Sequence, residues 1–254
     1  MARCRWYPTD ALLSRKPKEV EDGMRARQVH LILGVVLAVA IFSAAAGAAP
    51  AVYQDGTYVA VSDADDHGYL MAIVTIKDGK IAQVRLTEMN GFGDPKPASY
   101  PWEPYHEAMK VLPGRFVEAN DWDVDIVTQA TGTSESARQA VQRALEKAAK
   151  VPGGKYFDGT FFGRSAADDH GYGTALVTIK DDRIVAVKLG EVQADGTWKD
   201  FSTYPWEPTV KGKEQMEQAF VAANGVEVDL ITGSTSSSKK WIQAVTNALK
   251  AAER

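Results

Sequence analysis

Cysteine is almost missing from this chain. Of 254 residues only Cys4 is one, and it precedes any domain-like pattern. The rest of the chain therefore has no disulfide, thiolate metal site or cysteine nucleophile, and no cysteine follows the apolar run to carry a lipid. Excess positive charge is missing too: the formal charge is -4, which leaves no basic footprint for nucleic acid. No nucleophile-base triad motif, P-loop or glycine-rich dinucleotide fingerprint occurs, so nothing in the chain points to hydrolysis.

The N-terminal part reads as an address. Arg25, Arg27 and His30 precede an apolar run from Leu31 to Phe42, and the small residues Ser43 to Ala49 follow, which is the layout of a secretory signal. Cleavage after Ala48 would use Ala46-Gly47-Ala48, and cleavage after Ala51 would use Ala49-Pro50-Ala51. Signal peptides begin at the terminus, so residues 1–23 read as a mis-assigned extension and Met24 as the initiator, with 24–48 the signal peptide. An uncleaved anchor is the competing reading, because Leu31 to Ala49 approaches the roughly 20 apolar residues that span a bilayer. Arginines ahead of the run hold that end in the cytoplasm, so either reading predicts an extracytoplasmic protein, periplasmic or at the cell surface.

Beyond the leader the chain repeats itself. Asp55-Gly-Thr recurs as Asp158-Gly-Thr, Asp65-Asp66-His67-Gly-Tyr69 as Asp168-Asp169-His170-Gly-Tyr172, and Tyr100-Pro-Trp-Glu-Pro104 as Tyr204-Pro-Trp-Glu-Pro208. From Asp55 to Asn90 about 20 of 36 positions are identical at an offset of about 103. That period exceeds any solenoid unit, so each copy is expected to be a whole domain, 52–150 and 155–254. The linker from Lys150 to Lys155, with Gly153-Gly154, keeps the two close without fixing their geometry.

Within a copy the pattern predicts strands and then helices. Thr57 to Val61, Leu70 to Lys77 and Ile81 to Leu86 are β-rich, and Asp78-Gly79 marks a hairpin that Asp181-Asp182 should preserve in the second copy. Asn90 to Tyr100 reads as loop, followed by helices near Tyr105 to Ala119 and Lys211 to Ala223. Helically spaced Ala137, Ala140, Val141, Ala144, Leu145 and Ala148 close copy one, and Trp241, Ala244, Val245, Ala248 and Leu249 close copy two. The Thr/Ser-rich stretch before each closing helix should supply its N-cap. The fold class is α+β: two tandem homologous domains, each an antiparallel sheet packed by helices, after an N-terminal signal or anchor helix.

The chemistry concentrates just before those closing helices. Asp125-Ile-Val-Thr128-Gln-Ala-Thr131 matches Asp229-Leu-Ile-Thr232-Gly-Ser-Thr235. A helix N-terminus offers unpaired N–H groups and positive dipole, and small residues let a phosphate reach them. Once, such a stretch is only an N-cap; twice, with the aspartate spacing kept, it points to a phosphate site. Each copy is one residue away from the pattern Asp-x-x-Ser/Thr-Gly-Ala-Thr before a helix, which, after a domain opening Asp-Gly-Thr-Tyr and a Lys-Asp-Gly-Lys hairpin, resembles the bacterial FMN-binding domain family. That family includes subunits of sodium-translocating NADH:quinone reductase and Rnf-type complexes and tandem extracellular flavoproteins of the pheromone-lipoprotein type, which look most similar.

The resemblance covers residues 53–254 and implies FMN as the cofactor. It implies Thr131 and Thr235 as covalent acceptors, Asp125 and Asp229 as the motif aspartates, and Thr128 and Thr232 as the first hydroxyls. The partners it implies are an FAD-dependent, magnesium-requiring flavin transferase and membrane or extracellular redox proteins. Gln129 stands where the family usually has glycine, which bears on Thr131 if that position needs φ > 0, and Ser234 stands where it usually has alanine. Motif fidelity thus ranks Thr235 ahead of Thr131.

Other recurring residues are read more plainly. The Asp65-Asp66-His67 and Asp168-Asp169-His170 clusters lack good metal spacing and are expected to hydrogen-bond their own loops, although His67 and His170 could also border the flavin. Trp102, Trp206, Tyr100 and Tyr204 are candidates to stack on a planar ligand, against ordinary packing under a loop, and Glu103 and Glu207 lack a catalytic partner. The expected function is an exported electron-transfer flavoprotein, a carrier more than an enzyme. The alternatives are a non-covalent flavin or small-ligand binder and a cofactor-free cell-surface interaction protein.

Overall fold

The computed structural model describes residues 53–254. The leader features, including Cys4, the apolar run and the cleavage sites, lie outside the described residues.

Each repeat builds a three-stranded antiparallel sheet and two helices. In the first, β1 (Gly56–Val61), β2 (Gly68–Lys77) and β3 (Lys80–Asn90) pair in sequence order, followed by α1 (Glu103–Ala119) and α2 (Thr131–Ala149). In the second, β4 (Gly159–Arg164), β5 (Tyr172–Lys180) and β6 (Arg183–Val192) do the same, followed by α3 (Glu207–Ala223) and α4 (Thr235–Ala252). Among the described residues no helix is long and apolar enough to cross a membrane.

The hairpin between β2 and β3 turns through Asp78 and Gly79 at φ 54° and 71°, and its copy turns through Asp181 and Asp182 at 50° and 60°. Both central residues of this turn type need positive φ, because only that twist matches the flanking strands. Aspartate tolerates it by bonding locally, and the domain-opening aspartates add outside support. Asp55 accepts the N–H groups of Asp78 and Gly79 at 3.1 and 3.0 Å, and Asp158 accepts that of Asp181 at 2.8 Å. Those bonds favour the ionised form and hold the Asp55 carboxyl below its ordinary range. The recurring Asp-Gly-Thr opening is therefore a turn brace.

Alternation along β2 buries Leu70, Ala72, Val74 and Ile76 on one face. The small residues Ala137, Ala140, Ala144 and Ala148 let α2 lie close against that face, over β1 and β2, while α1 covers β3 with Leu112 and Phe116. In the second repeat α4 packs on β4 and β5, with fully buried Trp241, and α3 on β6, with Met216 and Phe220. The first and third helices start two to four residues earlier than the periodicity indicates. Proline as their second residue loses no hydrogen bond there, so the turn at Glu103-Pro104 and Glu207-Pro208 is already helical.

The linker reading gave no fixed geometry between the copies, yet the structure joins them firmly. Val61, Tyr69 and Met71 of the first repeat pack into the second repeat's core. Tyr69 stacks on Phe162 with centroids 5.6 Å apart, and Phe92 on Trp198 at 5.0 Å. The junction also holds Arg143 of α2, whose side chain is 7% exposed. It donates to the Val61 carbonyl (2.8 Å), the Asp158 carbonyl (2.7 Å) and the Asp63 carboxylate (2.6 Å), and its guanidinium lies over the Phe161 ring. Asp63 also accepts the N–H of Thr160, so one acid and one base tie the end of β1 to the start of β4.

Removing Arg143 would take a donor from the buried Val61 carbonyl and the part-buried Asp158 carbonyl and leave the Asp63 carboxylate with only the Thr160 N–H. Arg143→Ala is expected to lower stability by roughly 2–4 kcal/mol, and Asp63→Ala by less, because that carboxylate is about half exposed. Denaturant unfolding checks this; an unchanged midpoint for Arg143→Ala would show that the junction is held elsewhere.

Candidate functional site

The two threonine motifs fold alike. Val127 to Ala130 form a turn closed by the Ala130 N–H on the Val127 carbonyl (3.0 Å), and Ile231 to Ser234 form its copy at 2.9 Å. The third residue of each turn has positive φ: Gln129 at 66° and Gly233 at 78°. Glycine adopts that conformation freely and glutamine does so at a cost of about 1 kcal/mol, so the motif glycine is a conformational requirement that Gln129 meets under strain.

A serine inside each helix fixes the turn. Ser134 donates its hydroxyl to the Ala130 carbonyl (2.8 Å) and accepts the Val127 N–H (3.0 Å); Ser238 does the same with Ser234 (2.9 Å) and Ile231 (3.1 Å). The expected Ser/Thr N-cap is not how these helices begin. The cap residues are Ala130 and Ser234, neither makes a side-chain cap bond, and the orphan-group problem is shifted into the helix through Ser134 and Ser238. Thr131 and Thr235 are thereby the first helical residues, exposed, with their hydroxyls not used as caps. The N–H groups of Thr131, Gly132 and Thr133 have no acceptor among the described residues, which is the anion-binding arrangement of a helix start.

Thr131 faces a cleft of about 420 Å³. One wall is the motif itself, Gln129 to Thr133 with Ser136; another is the loop of Asp65, His67 and Tyr69; the third carries Tyr100, Trp102 and Tyr105. That size, with aromatic walls and a few convergent polar groups, suits a cofactor. Across it lies an ion pair that the sequence reading missed. Lys96 Nζ is 2.5 Å from Glu88 Oε1, both side chains are about 15% exposed, and Glu88 Oε2 accepts the Thr133 hydroxyl at 3.0 Å. Lys96 also sits 4.7 Å above the Tyr100 ring. The pair recurs as Lys199 with Glu191, and that recurrence at the repeat offset was the signal available in the sequence. Burial, and then the Glu88 charge, raise the Tyr105 phenol above its ordinary pKa.

The other expected residues divide. Trp102 and Trp206 are each about half exposed, so neither is packed under a loop; Trp102 lines the cleft, and the Trp206 indole donates to the Gly233 carbonyl at 2.6 Å. His67 lines the cleft. Asp65 accepts the N–H groups of His67 (2.7 Å) and Gly68 (3.1 Å), and Asp168 that of His170 (2.8 Å), the self-bonded loop that was expected. Among the described residues no group of three or more potential ligands could hold a metal. Asp125, Thr128, Asp229 and Thr232 are exposed; Asp125 and Thr128 are not in the cleft lining, and Asp229 borders a shallow groove on α3. Arg115 ties down the main chain beside the motif by donating to the Asp125 carbonyl at 2.6 Å. A smaller cavity of about 240 Å³ at the junction of the repeats is walled by Phe162, Trp198 and Phe201 and touches neither threonine.

Comparison with solved structures finds a crystal structure of a Clostridium perfringens protein, 24% identical over 39% of this chain and 90% of that one, with a TM-score of 0.35. A solution structure of a Clostridium thermocellum protein is 23% identical over 38% of this chain and 90% of that one, with a TM-score of 0.25. No curated protein matches. The family model described as the FMN-binding domain matches twice, at residues 67–146 and 170–250, each time spanning the second and third strands of the sheet, the aromatic loop and the threonine motif. With both repeats matched, the chain belongs to the FMN-binding domain family, and its cofactor is FMN.

Proposed function

We propose that this protein is an exported electron-transfer flavoprotein that holds FMN through a phosphoester to its motif threonines, Thr131 and Thr235. The observation that carries the reading is Thr131 itself: an exposed hydroxyl at the first position of α2, beside three N–H groups without acceptors and at the wall of a cofactor-sized cleft. FMN, when bound, supplies one- and two-electron chemistry. The helix start at Thr131 to Thr133 would hold the phosphate, and Tyr100 and Trp102 of the same cleft would be the aromatic side chains available to the ring.

Attachment balances as a phosphoryl transfer without redox change. The threonine oxygen bonds to the flavin-side phosphorus of FAD, the pyrophosphate P–O bond breaks, AMP leaves with the electron pair, and the hydroxyl proton passes to base. A magnesium-dependent flavin transferase is the partner this requires. The arginine-flanked apolar run after Met24 supports an extracytoplasmic location, where a covalent bond prevents loss of cofactor by dilution. Membrane or extracellular redox proteins would exchange electrons with it.

Two outcomes are expected. Co-expression with such a transferase yields denatured protein that fluoresces as flavin and gains one FMN, less one water, per loaded site; Thr131→Ala and Thr235→Ala each remove the flavin held through that residue, and the double variant carries none. Flavin that is present but released on denaturation would instead establish non-covalent binding. Separately, Gln129→Gly relieves the positive φ and should raise stability by roughly 0.5–1 kcal/mol, a melting increase of about 2–4 °C or less. A lower melting temperature would mean that the Gln129 side chain contributes more than its backbone strain costs.

A further inference from the structure

The two flavin sites are not equivalent. At the repeat offset, Ser136 of the first cleft corresponds to Lys240, and the core residue Leu70 to Gly173. The exchange is compensated. A Cβ at Gly173 would lie 2.9 Å from the Lys240 Cβ and 3.1 Å from its carbonyl carbon, so the absent side chain is what lets α4 lie this close to β5 at Lys240, where the first repeat has the buried Leu70. Its ammonium then ends 2.6 Å from Asp168 Oδ1, with the Lys240 side chain only 10% exposed. Asp168 corresponds to Asp65, which lines the first cleft and makes no ion pair among the described residues. Two further contacts draw the second motif inward. Thr209, the counterpart of Tyr105, shares a buried 2.8 Å hydrogen bond with Ser234, and the Trp206 indole is bonded to the Gly233 carbonyl.

Resting on the reading of Thr131 and Thr235 as FMN sites, we infer that Lys240 closes the second site and that the chain loads flavin selectively at Thr131. Position 136/240 is then the specificity determinant: serine leaves the cleft open, and lysine paired with aspartate occupies its wall. This reverses the order that motif fidelity alone suggests. A flavin entering the second repeat must displace a part-buried, charge-assisted hydrogen bond between Lys240 and Asp168, and among the described residues no such bond holds Ser136 and Asp65 in the first.

The test uses the full chain co-expressed with a flavin transferase, followed by proteolysis and quantification of flavin on the peptides containing Thr131 and Thr235. Flavin on Thr131 is expected to exceed that on Thr235 by roughly ten-fold or more, the discrimination that one charged hydrogen bond provides. Lys240→Ser should bring Thr235 loading up towards that of Thr131. Lys240→Met, which keeps the stem and removes the charge, separates the two parts of the lysine's role: recovery there assigns closure to the ion pair, and its absence assigns it to the stem. Melting curves identify a variant that fails to fold, in which case the wild-type ratio decides. Equal loading of both threonines in the wild type overturns the inference while leaving the covalent reading intact. If neither threonine carries flavin, the covalent reading fails, and equilibrium dialysis with FMN decides the asymmetry: one equivalent per chain supports it, and two or none overturn it.

Discussion

The site depends on a turn that must pass through positive φ immediately before a helix. Once Gln129 or Gly233 takes that conformation, the next two residues lead directly into α2 or α4, and the threonine becomes the first helical residue. The serine three positions further on binds both sides of the turn, so its hydroxyl does the work usually done by a cap residue. The threonine side chain is thereby left free of any capping role, at the positive end of the helix dipole. Because the same two helices cover the sheets, a change of helix start by one residue would rotate every alanine of the buried stripe.

Duplication separates what the fold needs from what each copy has acquired. The hairpin with two positive φ residues, the aspartate-braced opening, the Asp-His turn and the lysine–glutamate pair occur twice. Arg143 and Asp63 occur once. Their counterparts, Asn247 and Ala166, lack the ion pair and keep the bonds between helix and strand end, Asn247 to the Arg164 carbonyl at 2.8 Å and the Ala166 N–H to Gln243 at 2.8 Å. The first copy has elaborated those shared bonds into the junction. Glu191 shows drift in the other direction: its Oε1 is buried without a hydrogen-bond partner, whereas the matching Glu88 carboxylate is fully engaged.

Much of this was legible in the sequence because it is local and periodic. The alternation of Leu70 to Ile76 and the alanine stripe of α2 state which faces are buried, and the threonine motif states where a helix begins. What was hidden is long-range. Glu88 and Lys96 flank a loop whose path no periodicity specifies. Nothing local in the sequence distinguishes Arg143 from the other charges of its helix, because its acceptors lie more than a dozen residues away in sequence. Nothing local in the sequence singles out Lys240, whose partner Asp168 lies 72 residues away and whose close approach to Gly173 joins two separate elements. The positive φ of Gln129 was the opposite case: the question was posed by the sequence and answered by the backbone.

The bond from each closing helix to its strand end also acts as a ruler. Arg143 lies 12 residues beyond Thr131, and Asn247 lies 12 beyond Thr235, so along a helix rising about 1.5 Å per residue the threonine and the strand-end carbonyl are set roughly 18 Å apart. In the first repeat that carbonyl belongs to the seam with the second. Thr131 is therefore held at one end of a stiff rod whose other end is bolted across the duplication, and its distance from that bolt is set by helix geometry.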